Sequence, residues 1–82
     1  MSRYIITASE GTCSFLCNYL KGHKLIQDTF ENSGFWYSNG ETGPEWFTVT
    51  IEADYKHKEE IEKLVSVTLQ SAGRTASNYF WG

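Results

Sequence analysis

Cys13, Cys17, His23 and His57 are the side chains of this chain best suited to metal binding or nucleophilic chemistry. The cysteines lie one predicted helical turn apart, which is not the usual zinc-site spacing, and the histidines do not pair at helical spacing. A disulfide across one turn would close too short a loop to constrain the fold much. Cysteines on a short amphipathic helix are typically small core or boundary residues. We therefore expect two reduced, structural thiols, and neither a metal nor a cofactor.

A reactive Cys13 is the chemical alternative, because a helix N-terminus lowers the pKa of a nearby thiol. The sequence contains no nucleophile elbow, no glycine-rich phosphate loop and no carboxylate pair at a catalytic spacing. The segment from Gly40 to Gly43 contains an acid and does not suit phosphate. Glu59 and Glu60 would begin a helix, where acids interact favourably with the helix dipole. We expect a protein that is not an enzyme.

The stretch from Leu25 to Tyr55 is both acidic and aromatic. It has six acids and no Lys or Arg, whereas the rest of the chain carries all seven basic residues. Its acids and aromatics are Asp28, Glu31, Glu41, Glu45, Glu52 and Asp54, with Phe30, Phe35, Trp36, Tyr37, Trp46, Phe47 and Tyr55. One explanation is that solvated loops and sheet edges happen to be acidic. The other is a binding surface for a basic partner, with charge steering the encounter.

The composition is that of a small globular protein. At 82 residues, with 40% hydrophobic and 21% charged residues, we expect one compact domain over 1–82. The net charge of −3 argues against direct nucleic-acid binding, which normally requires a basic patch. The N-terminal residues form no apolar signal stretch, and no apolar run approaches a membrane span. A cytoplasmic location without membrane contact is therefore expected. A small core also leaves a homodimer open.

The first half of the chain predicts a strand, a helix and a hairpin. Residues 3–8 are β-branched and aromatic and predict a strand, followed by a turn at 9–11. Thr12 is the expected N-cap of a helix that Gly22 ends. The expected buried stripe of this helix is Phe15, Leu16, Tyr19 and Leu20.

Residues 24–31 fit either a continuing helix or a strand. The strand is favoured because Asn32-Ser33-Gly34 resembles a hairpin loop. Residues 35–38 would then form the return strand, and the turn formers at 39–44 would form a loop.

The second half of the chain has the clearest periodicity. Residues 45–53 alternate as a strand, with Phe47, Val49 and Ile51 on one side. Asp54 is the expected cap of a helix over 56–72, which Gly73 ends, and residues 76–81 predict a last strand. The expected buried stripe of that helix is Ile61, Leu64, Val65, Leu69 and Ala72.

These elements predict an α+β two-layer sandwich, in which two helices cover one face of a mainly antiparallel sheet. The order is β-α-β-β-β-α-β, or β-α-β-β-α-β if 12–30 is one helix. Both orders are close to the ferredoxin-like split βαβ plan. This is a likeness of element order and not of residue motifs.

The strand over 45–53 leads to the functional hypothesis. If Phe47 and its alternate neighbours face the helices, Trp46 and Thr48 must face the other way, where only a second subunit or a ligand could cover them. Trp46 lying flat on its neighbours is the simpler alternative. The candidate partner-binding residues are Trp36, Tyr37, Glu41, Glu45, Trp46, Thr48 and Glu52.

The leading hypothesis is a binding protein with a protein partner that has a basic surface, such as a nucleic-acid-binding protein. Small acidic chains without catalytic residues are typical of the inhibitors that phages and mobile elements direct at host machines. The alternative is a dimeric ligand-sensing domain that binds a small metabolite or nucleotide between its subunits. An RNA-binding aromatic sheet is a third hypothesis, opposed by the lack of basic residues near Trp36 and Trp46.

Overall fold

The computed structural model describes residues 2–34, 37–38, 41–42 and 46–82. The strands are β1 (Ser2–Ala8), β2 (Asp28–Gly34), β3 (Tyr37–Ser38), β4 (Glu41–Thr42), β5 (Trp46–Ala53) and β6 (Ala76–Trp81). The helices are α1 (Glu10–Leu20) and α2 (Lys58–Ser71), and a short 3-10 turn, Tyr55–His57, precedes α2. Within these ranges, neither helix is long and apolar enough to cross a membrane.

Four strands form one antiparallel sheet in the order β2-β5-β1-β6. The pairs β2–β5, β5–β1 and β1–β6 are all antiparallel. The strands β1 and β2 are therefore parallel to each other, with β5 between them. This sheet and the two helices confirm the α+β prediction.

The core lies between one face of this sheet and the two helices. Ile6, Val49 and Ile51 are fully buried there, together with Leu16 from α1 and Ile61 from α2. Each of the two central strands contributes alternate residues to this face, as the pleat requires. The expected orientation of 45–53, with Val49 and Ile51 towards the helices, is confirmed.

At the β6 edge, aromatic side chains close the core. The ring of Trp81 stacks on Tyr4 with centroids 4.5 Å apart, and the indole nitrogen donates a hydrogen bond to Glu62 Oε2 at 3.0 Å. The ring of Tyr55 meets Trp81 edge-on. Burial, with smaller contributions from the Glu62 carboxylate and Tyr79, raises the pKa of Tyr4 to about 12. These contacts fix α2 against the sheet.

Helix α1 begins earlier than the sequence predicts. Its N-cap is Ser9, whose hydroxyl accepts a hydrogen bond from the Thr12 backbone N–H, so the expected turn at 9–11 and the cap at Thr12 are wrong. Both residues have a hydroxyl group that can cap, and the sequence alone did not separate them. Gly22 follows the helix with a φ of 87°, as expected for a glycine that ends a helix.

The buried stripe of α1 also differs from the prediction. Cys13, Leu16, Cys17 and Leu20 are its buried apolar residues, and they follow the i, i+3, i+4, i+7 pattern. Tyr19, expected to be buried, is 64% exposed. The prediction gave the large rings priority, whereas the two cysteines behave as small hydrophobic residues.

The segment after α1 resolves the ambiguity over 24–31. It forms a strand, but only from Asp28 onward, and the strand continues through the expected hairpin loop at 32–34. Its partner is β5, whereas the described part of the expected return strand, Tyr37–Ser38, pairs with β4. Residues 35–36 of that expected strand lie outside the described residues. The expected hairpin is therefore wrong, because the long-range ladder to β5 outweighs the local turn preference of Asn32-Ser33-Gly34. The strand β3 pairs with β4, so Glu41–Thr42 is a strand where a loop was expected, and the rest of that expected loop lies outside the described residues.

The last helix largely follows its prediction. Asp54 caps the 3-10 turn by accepting a hydrogen bond from the Lys56 N–H, and Gly73, with a φ of 66°, follows the helix. Ile61, Val65 and Leu69 are buried as expected. Leu64, however, is only partly buried and Ala72 is exposed, while Thr68 is buried.

Candidate functional site

The sheet face opposite the helices carries the candidate site. We call it the open face. Its residues alternate with the core residues along β1, β2, β5 and β6 and therefore point away from the helices. They are Arg3, Ile5, Thr7, Asp28, Phe30, Asn32, Gly34, Trp46, Thr48, Thr50, Glu52, Asn78 and Phe80. Both helices pack on the other face, so no described helix covers these side chains.

Trp46 lies on the open face across from Gly34, its register partner on β2. A β-carbon added at Gly34 would lie 2.3 Å from Cζ2 of the indole, so the ring rests directly on the glycine backbone. Trp46 nevertheless remains 44% exposed. The expectation that it faces away from the helices is confirmed, and its ring also lies on a neighbouring strand. The glycine therefore creates a flat seat for an indole that still contacts solvent.

An apolar row crosses the whole open face. The register aligns Phe30 with Thr50, Thr50 with Ile5, and Ile5 with Phe80, one residue from each strand. Four strands place the ends of this row about 14 Å apart. Phe30 is 36% exposed and Phe80 is 58% exposed. Thr50 is buried between its neighbours although no described helix covers it.

Thr48 lies in a parallel polar row. The register aligns Asn32 with Thr48, Thr48 with Thr7, and Thr7 with Asn78. This row lies between the apolar row and Trp46. It supplies hydroxyl and amide groups that can form hydrogen bonds with a partner.

The acids of the open face already have basic partners. Glu52 Oε2 accepts a hydrogen bond from Arg3 Nε at 3.1 Å, and Asp28 Oδ1 lies 3.7 Å from Lys21 Nζ. Asp28 and Glu52 are also register partners, so each basic group offsets a repulsion between the two strands. Exposed pairs of this kind contribute little stability. They also reduce the negative charge that the sequence assigned to this surface.

Other acidic and aromatic residues of the 25–55 stretch lie elsewhere. Glu31 and Phe47 share the helix side of the sheet, near the start of α1. Asp54 caps the 3-10 turn, and Tyr55 packs against Trp81. Among the side chains that the structure describes, the predicted surface is therefore divided, and the open face brings together Phe30, Trp46 and the two paired acids.

Four of the predicted binding residues have no described side-chain position. Trp36 and Glu45 lie outside the described residues, as does Phe35. Tyr37 and Glu41 are placed by their backbone, in β3 and β4. Their roles stay predictions.

The two cysteines belong to the core. Both are free and buried, which confirms that they pack as small core residues. Burial is the main cause that raises the pKa of the Cys13 thiol, and the nearby Glu31 charge adds to it. Burial and the raised pKa both count against the alternative of an activated Cys13. The Cys17 thiol donates to Thr29 Oγ1 at 3.5 Å.

Each histidine contacts a residue close to it in the sequence through its Nδ1 atom. His23 Nδ1 accepts a hydrogen bond from the Leu25 N–H at 3.1 Å, and His57 Nδ1 lies 3.5 Å from a Glu60 oxygen. Over 2–34, 37–38, 41–42 and 46–82, no three His, Cys, Asp or Glu residues are close enough together to hold a metal ion.

A polar hollow beside the start of α1 is another concave feature. It encloses about 450 Å³ and is lined in part by Ser9, Thr12, Arg74 and Ser77. The Arg74 guanidinium donates to Thr12 Oγ1 at 3.2 Å and lies 5.3 Å from the centroid of the Phe15 ring. Arg74 therefore anchors the end of α2 to α1.

Phe80 and Ile5 belong to the open face although the sequence did not predict them as part of the candidate surface. Phe80 lies between two residues that face the helix side. Alternation along 76–81 could therefore have placed Phe80 on the opposite side of the sheet. The sequence does not show that β6 pairs with β1, which joins these residues to Phe30 in one row.

Comparisons with known proteins identify no relative. The chain matches no protein-family model, no curated protein and no solved structure.

Proposed function

We propose that this chain is a non-enzymatic binding protein whose open face holds a protein partner. The observation that carries this proposal is the exposure of Phe30, Trp46 and Phe80 on a sheet face with no described helix over it. Aromatic residues, and Trp in particular, are enriched among the residues that dominate the energy of protein interfaces. The polar row beside them provides hydrogen-bonding groups that can fix the orientation of the partner.

The partner class follows from the charges. Arg3 is the only basic residue among the described positions of the open face, and it is already paired with Glu52. Phosphate contacts dominate nucleic-acid binding, so an RNA or DNA partner has little to contact here. A protein with an apolar patch fits the aromatic surface, and basic residues around that patch would compete with Arg3 and Lys21 for Glu52 and Asp28. Nucleic-acid-binding proteins have basic surfaces of this kind. A chain bound to such a surface would block the nucleic acid and so inhibit the protein.

The proposed fold plan is the ferredoxin-like split βαβ arrangement. Its support is the position of β5 between the parallel strands β1 and β2, and of β1 between β5 and β6. Each helix then connects two strands that are separated by a third. This plan places both connecting helices on one side and leaves the other side available.

Parallel affinity capture tests the proposed function. The wild-type chain, Trp46→Ala and Tyr19→Ala are immobilised, exposed to extract of the native cell and compared by quantitative mass spectrometry. Tyr19 is a matched control because it is a more exposed aromatic residue on α1, away from the open face. We expect one protein that wild type and Tyr19→Ala both retain and that Trp46→Ala loses.

The binding must then be reproduced with the purified protein. Equal retention of every captured protein by Trp46→Ala would contradict the proposal. A chain that instead loses half its mass on Trp46→Ala, with a small molecule released, would support the ligand-sensing dimer. Capture of RNA in place of protein would support the aromatic-sheet RNA binder.

A further inference from the structure

The two outer strands of the sheet differ in how their free edges are protected. An outer strand has backbone N–H and C=O groups that no neighbouring strand satisfies, and proteins usually block such edges with charges, proline or side-chain contacts. The outer strands here are β2 and β6.

The β2 edge is blocked. Lys21 Nζ donates to the Thr29 carbonyl at 3.1 Å, and Asp28 Oδ1 accepts from the Thr29 N–H at 2.8 Å. Both outward groups of Thr29 are therefore satisfied by side chains. The strand also carries two acids, Asp28 and Glu31, which would repel a second acidic strand.

The β6 edge is not blocked in this way. Its sequence, Ala-Ser-Asn-Tyr-Phe-Trp, contains no charge and no proline. Arg3 and Gly82 exchange both backbone hydrogen bonds, at 3.2 and 2.9 Å, and form a hydrogen-bonded pair. Because such pairs alternate along an antiparallel ladder, Ile5–Phe80 is the next one, and Tyr79 and Trp81 direct their N–H and C=O groups outward. No hydrogen bond from another described residue reaches these outward groups.

We propose that two copies of this chain pair antiparallel along β6, with the two-fold axis between their Phe80 residues. Tyr79 of each copy then exchanges backbone hydrogen bonds with Trp81 of the other. The irregularity at Thr7/Ala8, where Ser77 is the extra residue of β6, lies outside this short ladder. No like charges meet, because the strand has none.

The second copy fits this edge better than an unrelated strand does, because pairing at Phe80 continues the apolar row. Facing residues at such a non-hydrogen-bonded position have their side chains closest together. The two Phe80 rings therefore meet, and the row runs from Phe30 of one copy to Phe30 of the other. The two sheets become one sheet of eight strands. A ladder this short buries little area, so the dimer is expected to be weak and concentration-dependent.

Sedimentation equilibrium over a range of protein concentrations tests this proposal without any partner. Phe80→Lys places two ammonium groups opposite each other across the axis. Phe30→Lys is the matched control: it makes the same change, in the same row, at the other outer strand. We expect a wild-type dimer that Phe80→Lys weakens by at least about tenfold and Phe30→Lys leaves within about threefold.

A second variant guards against misfolding of Phe80→Lys. Tyr79→Pro removes an outward N–H that does not bond to β1, so circular dichroism should show a folded chain that no longer dimerises. Hydrogen exchange should show the Tyr79 and Trp81 amides protected only in concentrated wild type.

Two results would overturn the proposal. One is a wild-type chain that stays monomeric at all concentrations. The other is equal dissociation by Phe30→Lys and Phe80→Lys, which would mean that open faces associate and not edges. Both concern self-association alone, so they leave the proposed function, which depends on capture by Trp46, to its own test.

Discussion

The two faces of the four-stranded sheet both carry large apolar residues, but those on the helix side form the core and those on the open face remain exposed. On the helix side, Ile6, Val49 and Ile51 are fully buried, and the partly buried Trp81 bonds to α2. On the open face, Trp46 and Phe80 remain exposed although they belong to the same strands as those buried residues. Alternation along a strand separates the two sets, so a substitution on one face should leave the other nearly unchanged. Stability and binding can therefore be tested separately in this chain.

The largest expected effect is on the helix side. Ile61→Ala removes a fully buried side chain of α2 and should lower the free energy of unfolding by about 2–5 kcal/mol. Leu64→Ala, one turn along, should cost only about 1 kcal/mol because Leu64 is partly buried. Urea denaturation measures both. A larger loss for Leu64→Ala would mean that α2 presents a different side to the sheet.

The next effect comes from the cysteines. Replacing Cys13 and Cys17 with Ser puts two hydroxyls into buried positions and should cost about 1–3 kcal/mol, while partner binding stays intact. Lost binding in a folded double variant would show that a thiol has a role beyond packing.

The single variant Cys13→Ser tests the pH dependence of stability. The raised pKa of Cys13 means that its contribution to stability is fully present below about pH 9 and is lost as pH rises further, because the unfolded chain ionises first. Denaturation at a series of alkaline pH values should therefore show a shallower decline for Cys13→Ser than for wild type. Identical slopes would count against a buried thiol.

A smaller effect is expected at the seat of Trp46. Gly34→Ala puts a β-carbon where the indole now lies, so the ring must move, at a cost of about 1 kcal/mol. In nitrogen–proton NMR spectra the Trp46 indole signal, assigned with Trp46→Phe, should shift. The Trp81 indole signal should not move, because its bond to Glu62 lies on the helix side. An unmoved Trp46 signal would contradict the described seat.

The smallest effect on stability should come from charge. Glu52→Lys breaks the exposed pair with Arg3 and should cost no more than about 1 kcal/mol. It should mainly slow association with a basic partner and reduce the dependence of the rate on salt. Glu59→Lys, an exposed acid on α2, is the control. Equal association rates for the two variants, measured by stopped flow, would contradict charge steering at the open face.

The sequence predicted those parts of the fold that depend on local periodicity. The alternation around Val49 gave the face assignment of β5, and Gly22 and Gly73 gave two helix ends. It did not predict that β2 continues through Gly34, because the stabilising ladder comes from β5, at least twelve residues later in the chain. The glycine that resembled a turn residue instead makes room for Trp46.

The candidate site was predicted only in part for the same reason. Trp46, Thr48 and Glu52 could be placed on the open face from one strand alone. Phe80 could not, because its position beside Ile5 depends on the pairing of the two ends of the chain. The negative charge was also overestimated, since Arg3 and Lys21, which both lie outside the 25–55 stretch, pair with Glu52 and Asp28 inside it.

The most direct test of the central claim is the affinity of the purified partner for Trp46→Ala, measured by isothermal titration beside wild type and Tyr19→Ala. If the open face is the binding surface, Trp46→Ala should weaken binding by about thirtyfold, or roughly 2 kcal/mol, with an unchanged unfolding transition. Tyr19→Ala should bind as wild type does. Unchanged affinity for Trp46→Ala in a folded chain, or an unfolded Trp46→Ala, would contradict the account.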